Sequence, residues 1–424
     1  MSRASHYRKT RLSDGLRVVT ERIPGVRSVA VGIWVEVGSR HESVRENGIS
    51  HFIEHMAFKG TTTRSALDIA QTIERGGGYI NAFTSKELTC FYVHVLDEQL
   101  DSALEILHDI LLNPVYRPPE MEKEKQVILD EIRDHEDMPD DVAHENFVRA
   151  LFEPHPLARP ILGSPQNVRS FSRTRVLGFV RRHYVPGRIV VAAAGNVNHD
   201  RLLKRVREGL AFARDNHFPP EKRVGRLVSK VERHRRPIQQ AHMVIGTRGL
   251  PYPHRDRSVL SAMNTVLGGG MSSRLFQNIR EKHGIAYSVY SFAEMFADTG
   301  IWGVYLATDK ERVDRARKMV LDELRKIQEV PLSSTELDDV KTQLKGNVML
   351  GLESVSNRMM RLGRMEIYLG RYYSLEDVSR QIDAVTPRRV QALADELLGE
   401  ERLITSIVEP GAAHKTKTRP RTRT

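Results

Sequence analysis

Residues 51–55 read His51-Phe52-Ile53-Glu54-His55 and combine two imidazoles with one carboxylate in a short apolar segment. Side chains three and four positions apart share one face of a helix, so His51 and His55 can bind one metal ion while Glu54 lies beside them to handle a proton. The order HxxEH is the inverse of the HExxH zinc motif. The stretch therefore predicts a metal-dependent hydrolase.

The alternative interpretation is an amphipathic helix with two surface histidines. Its neighbours argue against this, because an apolar setting makes unpaired polar groups costly. These neighbours are Ile49, Phe52, Ile53, Met56 and Phe58. Asn47 can cap the start of the helix, and Gly60 after Lys59 suits its end. The segment favours the metal site.

A catalytic zinc ion usually has three protein ligands and one water, so a third ligand must lie elsewhere. A long charged helix is predicted after the prolines at 118–119, which suit a first helical turn. One face of it carries Glu124, Val127, Ile128, Glu131 and His135. Glu–Lys pairs on a solvated helix explain its other acids. They do not explain Glu124 and Glu131, because two carboxylates on an apolar stripe need a partner.

With these residues the chain resembles the pitrilysin/insulinase family of zinc peptidases, and among them the short members similar to the mitochondrial processing peptidase β subunit and its bacterial homologues. The resemblance implies one zinc ion per chain, held by His51, His55 and Glu131, the last about 76 positions after the second histidine. It also implies that Glu124, seven positions earlier, orients a histidine ligand. Glu54 would be the general base of peptide hydrolysis.

Two further segments extend the resemblance. Asn81, Ala82 and Phe83 follow a run of glycines and resemble the family's edge strand, to which an extended substrate adds by backbone hydrogen bonds. A plain β-hairpin explains that segment equally well without the resemblance. Arg280 and Tyr287 resemble the family's Arg and Tyr pair, which would assist the peptide backbone and the oxyanion. Otherwise they would be a surface charge and a core aromatic residue.

Substrate preference follows only from the resemblance to the processing peptidases. It implies that Asp141 and Glu145 hold an arginine two positions before the cleaved bond, and that Phe58 lines the pocket for a large apolar residue after it. The alternative is that the acids after Pro139 form a polar loop and the start of a helix, where acids are common.

The length of 424 residues exceeds what one core usually supports, so two domains are expected. The resemblance implies an α+β fold of two similar domains, each a mainly antiparallel β-sheet covered by helices, that face each other across a substrate chamber. A weak internal repeat supports the division, since 172–197 resembles 386–408 and 114–132 resembles 331–350. The predicted segments are a zinc-binding domain at 1–213, a linker at 214–238, a second domain without a metal site at 239–410 and a basic disordered tail at 411–424.

Composition excludes several classes of protein. The net charge of +11 is concentrated partly in the linker and the tail, and no nucleic-acid motif accompanies it. Cys90 is the only cysteine, which excludes an internal disulfide and a cysteine-based zinc site. No apolar run is long enough to span a membrane. Family-like sequence begins near Tyr7, which leaves little room for a removable presequence, so a bacterial cytoplasmic enzyme is expected.

The resulting hypothesis is a zinc-dependent endopeptidase that acts on extended peptides or presequence-like segments. Its expected partners are peptide substrates and a second subunit, in a homodimer or a heterodimer with a related chain, with no nucleic acid and no membrane. The competing hypothesis is a non-catalytic scaffold or assembly subunit, although such relatives lack parts of the zinc-binding set. A metal-dependent hydrolase of non-peptide bonds is a third possibility.

Overall fold

The structure, a computed structural model, describes residues 6–212, 224–225 and 227–411. The strands within these ranges are β1 (His6–Arg11), β2 (Arg17–Arg22), β3 (Ser28–Val35), β4 (Tyr79–Thr84), β5 (Thr89–Leu96), β6 (Ile189–Gly195), β7 (Lys230–Arg236), β8 (Ala241–Gly249), β9 (Ala286–Met295), β10 (Gly300–Thr308) and β11 (Ile404–Pro410).

The α-helices within the same ranges are α1 (Ile49–Ala57), α2 (Ala66–Glu74), α3 (Leu100–Leu112), α4 (Pro118–Asp137), α5 (Pro139–Phe152), α6 (Pro165–Ser170), α7 (Arg173–His183), α8 (His199–Gly209), α9 (Arg257–Gly268), α10 (Val313–Glu329), α11 (Ser334–Gly351), α12 (Val355–Leu369), α13 (Leu375–Asp383) and α14 (Pro387–Leu397). A short π-type helix, Phe276–Lys282, precedes β9.

The described strands form one sheet of six strands and one of five, and the two sheets share the same internal order apart from the additional strand β1. The first runs β1-β2-β6-β3-β5-β4 and the second β7-β11-β8-β10-β9. Each contains one parallel pair, β2 with β6 and β7 with β11, and is otherwise antiparallel. The predicted mixed α+β fold with mainly antiparallel sheets is confirmed. The repeat also has a structural basis, because β6 and β11, which end the two similar segments, occupy equivalent places.

The first sheet is apolar on both faces. One face forms a core with helices that include α1, α3, α7 and α8. The other face, where Trp34 and Val190 are fully buried, packs against Val355, Met359 and Leu362 of α12. Apolar surface on both sides of a strand must be covered on both sides, and here a helix from late in the chain does so.

The second sheet repeats this arrangement. Its main core packs helices that include α9, α10 and α14 against one face. On α5, Phe147 lies with its ring centroid 6.3 Å from that of Phe292 on β9, and His144 lies 4.8 Å from the same ring. Helix α5, which packs on this sheet, therefore comes from early in the chain.

The two compact units are accordingly discontinuous in sequence. The first consists of Met1–Asp134, Phe152–Gly225 and Lys345–Gln381, and the second of the remaining segments, His135–Leu151, Arg226–Leu344 and Ile382–Thr424. This division differs from the predicted continuous domains at 1–213 and 239–410. The physical reason is the need to cover the second face of each sheet.

The predicted linker at 214–238 is also partly a strand. Residues 230–236 form β7, which pairs in parallel with β11. They form a strand although their sequence is highly charged and lacks a sustained apolar period. Residues 214–223 and 226 of that prediction, and 412–424 of the predicted tail, lie outside the described residues. No helix in the described ranges is both long enough and apolar enough to cross a membrane.

Candidate metal centre

Helix α1 carries the HxxEH residues beside the first core. Ile49, Phe52 and Ile53 are buried in that core and fix the rotation of the helix. The helix ends at Ala57, and Gly60 follows with φ of 112°, a left-handed conformation that favours glycine. Its start differs from the prediction. The residue at the N-cap is Gly48, and the side chain of Asn47 does not cap the helix but donates to Glu42.

The two histidines converge on Glu131 of α4. Nε2 of His51 and Nε2 of His55 each lie 3.7 Å from Oε2 of Glu131. Zinc bonds of ~2.0–2.2 Å at tetrahedral angles separate neighbouring ligand atoms by roughly 3.3–3.6 Å, so the set fits one ion. Oε2 of Glu131 is buried with no hydrogen-bond partner among the described residues, as a ligand atom would be. Among the described residues, His51, His55 and Glu131 are the one group of three or more side chains that could hold a metal ion.

Glu124 lies one step outside this group. Its Oε2 is 3.1 Å from Nδ1 of His55, on the ring edge away from Glu131. Its Oε1 is 2.7 Å from Nζ of Lys59. A histidine ligand commonly donates its second ring N–H to a carboxylate, which fixes the tautomer. The contact has the geometry that an orienting carboxylate requires, and Lys59 compensates the charge of Glu124.

The electrostatics suit metal binding and proton transfer. Burial, and to a lesser degree the neighbouring His55, lower the pKa of His51 to about 4, so its ring is neutral near pH 7. Burial raises the pKa of Glu54, and the Glu131 charge acts in the same direction. A hydrogen bond from Thr84 and the proximity of His55 oppose that rise. Oε2 of Glu54 is buried without a partner among the described residues, so it is available to accept a proton.

The edge strand β4 packs directly against α1. It is the terminal strand of its sheet and pairs only with β5 among the described strands. Along it Asn81 is exposed, whereas Ala82 is buried in the first core and Phe83 meets Trp34 edge-on at 5.6 Å. Phe58, at the C-terminal cap of α1, is partly buried against the same core. The unpaired side of β4 could accept an added strand next to the metal centre.

The remaining predicted residues belong to the second compact unit. Tyr287 on β9 is 78% exposed and is therefore not a core aromatic residue. The guanidinium of Arg280 lies 4.8 Å from the centroid of its ring and 4.7 Å from that of Phe276. This stacking holds Arg280 and Tyr287 together as a pair.

Asp141 and Glu145 lie on α5, one helical turn apart and therefore on one face. Oε2 of Glu145 is 3.5 Å from Nδ1 of His135, and Asp141 is exposed. The acids do begin a helix after Pro139, as the alternative interpretation requires. Their binding of a substrate arginine stays a prediction.

Three residues that contact the metal-centre residues or the start of their helix were not assigned these roles from the sequence. Lys59 lies four positions after His55, and this helical spacing alone could have placed it near Glu124. Thr84 lies in the predicted edge strand and reaches Glu54 through tertiary packing. Glu42 lies on the loop before α1, and no local pattern indicates that it contacts the helix.

The chain is similar to known proteins in both sequence and fold. The sequence profile described as Insulinase (Peptidase family M16) matches residues 17–165, and that described as Peptidase M16 inactive domain matches residues 170–344. An uncharacterized zinc protease of Mycobacterium leprae is 42% identical over 98% of this chain and 94% of its own length. One of Bacillus subtilis is 39% identical over 94% of this chain and 97% of its own. The fold is similar to that in the crystal structure of a protease from Helicobacter pylori, with a TM-score of 0.88 at 21% identity, over 96% of this chain and all of that one.

Proposed function

The chain belongs to the insulinase family of peptidases, family M16, and we propose that it acts as a zinc-dependent endopeptidase on extended peptides or presequence-like segments. The observation that carries the proposal is the convergence of His51 and His55 on Glu131, with both Nε2 atoms 3.7 Å from Oε2. Homologues named zinc proteases support zinc as the metal.

His51, His55 and Glu131 would hold the ion. Bound zinc would supply a water of lowered pKa and polarise the peptide carbonyl. Glu54 would accept the proton of that water and pass it to the leaving amine, because it is adjacent to the ligands and its pKa is raised by burial. Glu124 would keep His55 in the tautomer that presents Nε2 to the metal.

The peptide would bind along β4 as an added antiparallel or parallel strand. Its backbone would pair with N–H and C=O groups on the side of this terminal strand that faces away from β5, and such pairing binds extended peptides with little regard for side chains. Arg280 and Tyr287 would assist the backbone and the developing oxyanion. Asp141, Glu145 and Phe58 would set any preference for arginine before the bond and a large apolar residue after it.

The non-catalytic alternative lacks a specific supporting observation, since no member of the predicted zinc-binding set is replaced. The test is the zinc content of the purified protein together with its cleavage of a mixed peptide library, before and after chelation. We expect one zinc per chain, cleavage within unstructured peptides, loss of cleavage on chelation and recovery when zinc is returned. Full zinc occupancy without cleavage would favour the scaffold.

A further inference from the structure

The start of the zinc-binding helix lacks an ordinary N-cap. The N-cap position is Gly48, whose φ is 97° and which has no side chain to accept from the first amides. A Cβ there would lie 2.7 Å from the carbonyl oxygen of Leu162 and 2.9 Å from Cα of Gly163, so close backbone packing requires glycine. The first N–H groups of α1 need an acceptor from elsewhere.

Glu42 provides that acceptor from six positions before the N-cap. Its Oε2 accepts from the backbone N–H of Gly48 at 2.8 Å and from Nδ2 of Asn47 at 2.9 Å, and its Oε1 accepts from the N–H of Ser50 at 2.8 Å. The N–H between them, of Ile49, donates to the carbonyl of Glu46 at 2.9 Å. One carboxylate therefore bridges two amides of the helix start.

The carboxylate is enclosed. Glu42 is 3% exposed, and burying a carboxylate is costly unless it is well hydrogen-bonded. Burial raises the pKa of Glu42, but three N–H donors on its two oxygens favour the ionised form. Asn47 also donates to the carbonyl of Pro160 at 2.9 Å, which ties this cap to the loop that covers it.

The position of the cap connects it with the metal. His51 follows Ser50 directly, in the first turn of α1, and the positive end of the helix dipole lies at this turn. That end disfavours a divalent cation nearby, whereas a carboxylate on the same amides offsets it. The same hydrogen bonds fix the rotation and tilt of the first turn, and with them the direction of the His51 ring.

We infer that Glu42 is a positioning residue of the metal centre. It caps α1 from a distance and, by orienting His51, sets the zinc affinity of the centre. The inference rests on the proposed zinc site. Glu42 does not touch the metal ligands' side chains, the substrate or the reacting atoms.

The experiment measures the zinc Kd of the full chain by competition with a chromophoric chelator, with circular dichroism to verify folding. Glu42→Gln removes the charge and turns an amide NH2 toward an N–H donor. Glu42→Asp keeps the charge but is too short to reach both amides. Asn198→Ala is the matched control, because Asn198 caps α8 by accepting from the N–H of Arg201 at 3.0 Å, and α8 carries none of the ligands.

We expect Glu42→Gln to raise the zinc Kd by about tenfold, the lower end of the range for groups that orient ligands, and Glu42→Asp to raise it less. Asn198→Ala should lower thermal stability and leave the zinc Kd unchanged. An unchanged Kd in the folded Glu42 variants, or an equal change in Asn198→Ala, would overturn the inference. Should Glu42→Gln not fold, Glu42→Asp decides by the same criterion.

The result is separable from that of the proposed function. If the wild type binds zinc but cleaves no peptide, the endopeptidase proposal fails, whereas the zinc Kd values still decide the role of Glu42. If the wild type binds no zinc, both proposals are contradicted.

Discussion

Glu124 and His55 are joined by a contact of 3.1 Å between Oε2 and Nδ1, and the other carboxylate oxygen of Glu124 faces Lys59. The contact leaves Nε2 of His55 directed at Glu131, at 3.7 Å. Glu124 and Glu131, both on α4, thus lie at opposite edges of the His55 ring. Of the two, Glu131 is the one that also lies near Nε2 of His51.

This relationship predicts different outcomes for the two carboxylates. Glu131→Gln should lose zinc and activity together, because it removes the anionic ligand. Glu124→Gln should retain zinc but bind it ~10–100-fold more weakly, because it only disturbs the orientation of His55. The measurement is zinc stoichiometry and Kd for both variants. Stoichiometric zinc in Glu131→Gln would contradict the assignment of Glu131 as the third ligand.

Tyr287→Phe should lower kcat more than it raises KM, as expected of a hydroxyl that acts mainly in the transition state. Since the side chain is 78% exposed, thermal stability should not change. Tyr290→Phe is the control on the same strand, because it removes a hydroxyl that bonds His144 at 3.1 Å and is assigned no catalytic role. Equal kinetic effects of both variants would contradict the assignment.

Asp141→Asn combined with Glu145→Gln should erase a preference for arginine two positions before the cut while sparing other peptides. The two acids share one face of α5, and removing their charges removes the paired carboxylates that would bind a guanidinium on that face. A cleavage profile of the wild type that is indifferent to arginine would reduce the enzyme to a general oligopeptidase.

Acid should destabilise the protein through His108 on α3. Burial lowers the pKa of His108 to about 4 from 6.5, and its Nε2 has no partner among the described residues. Below pH 6.5 the unfolded chain binds a proton that the folded chain does not, so stability is lost as the pH falls from 6.5 toward 4. For this one group the loss amounts to about 2 kcal/mol at pH 5.

His108→Phe should therefore reduce the difference in unfolding free energy between pH 7 and pH 5, as measured by urea denaturation of the metal-free protein. The comparison is within each variant, so a change in packing at Gly209, which contacts the ring, does not affect it. The same loss between the two pH values in the variant would contradict the account.

Much of the fold could be predicted because strands and helices have local signatures. The helix around 51–55 follows from the helical spacing of its residues, and the helix after the prolines at 118–119 from their fit to a first turn. The structure has them as α1 and α4. Local signatures could not predict that α12, from late in the chain, covers the first sheet, or that α5, from early in the chain, packs on the second. Which sheet a helix covers is decided by long-range packing, and the apolar stripe of α12 fits any exposed apolar face.

The site shows the same limit. His51, Glu54 and His55 lie within one helix, so spacing alone predicts their shared face. The roles of Glu124 and Glu131 needed a family resemblance, because their partners lie on another helix. Neither residue spacing nor the family resemblance indicated a role for Glu42. Its contacts depend on how the loop before α1 folds back, and the Asn47-Gly48 pair carries no sign of an acceptor six positions earlier.

The most direct test of the central claim compares the wild type with Glu54→Gln for zinc content and for cleavage of a mixed peptide library. Glu54 is adjacent to the ligands, but its carboxylate does not belong to the group that could hold the metal. We predict one zinc per chain in both proteins and loss of hydrolysis in Glu54→Gln only. Full zinc occupancy with wild-type cleavage in Glu54→Gln would contradict the account, because the proton would then have another carrier.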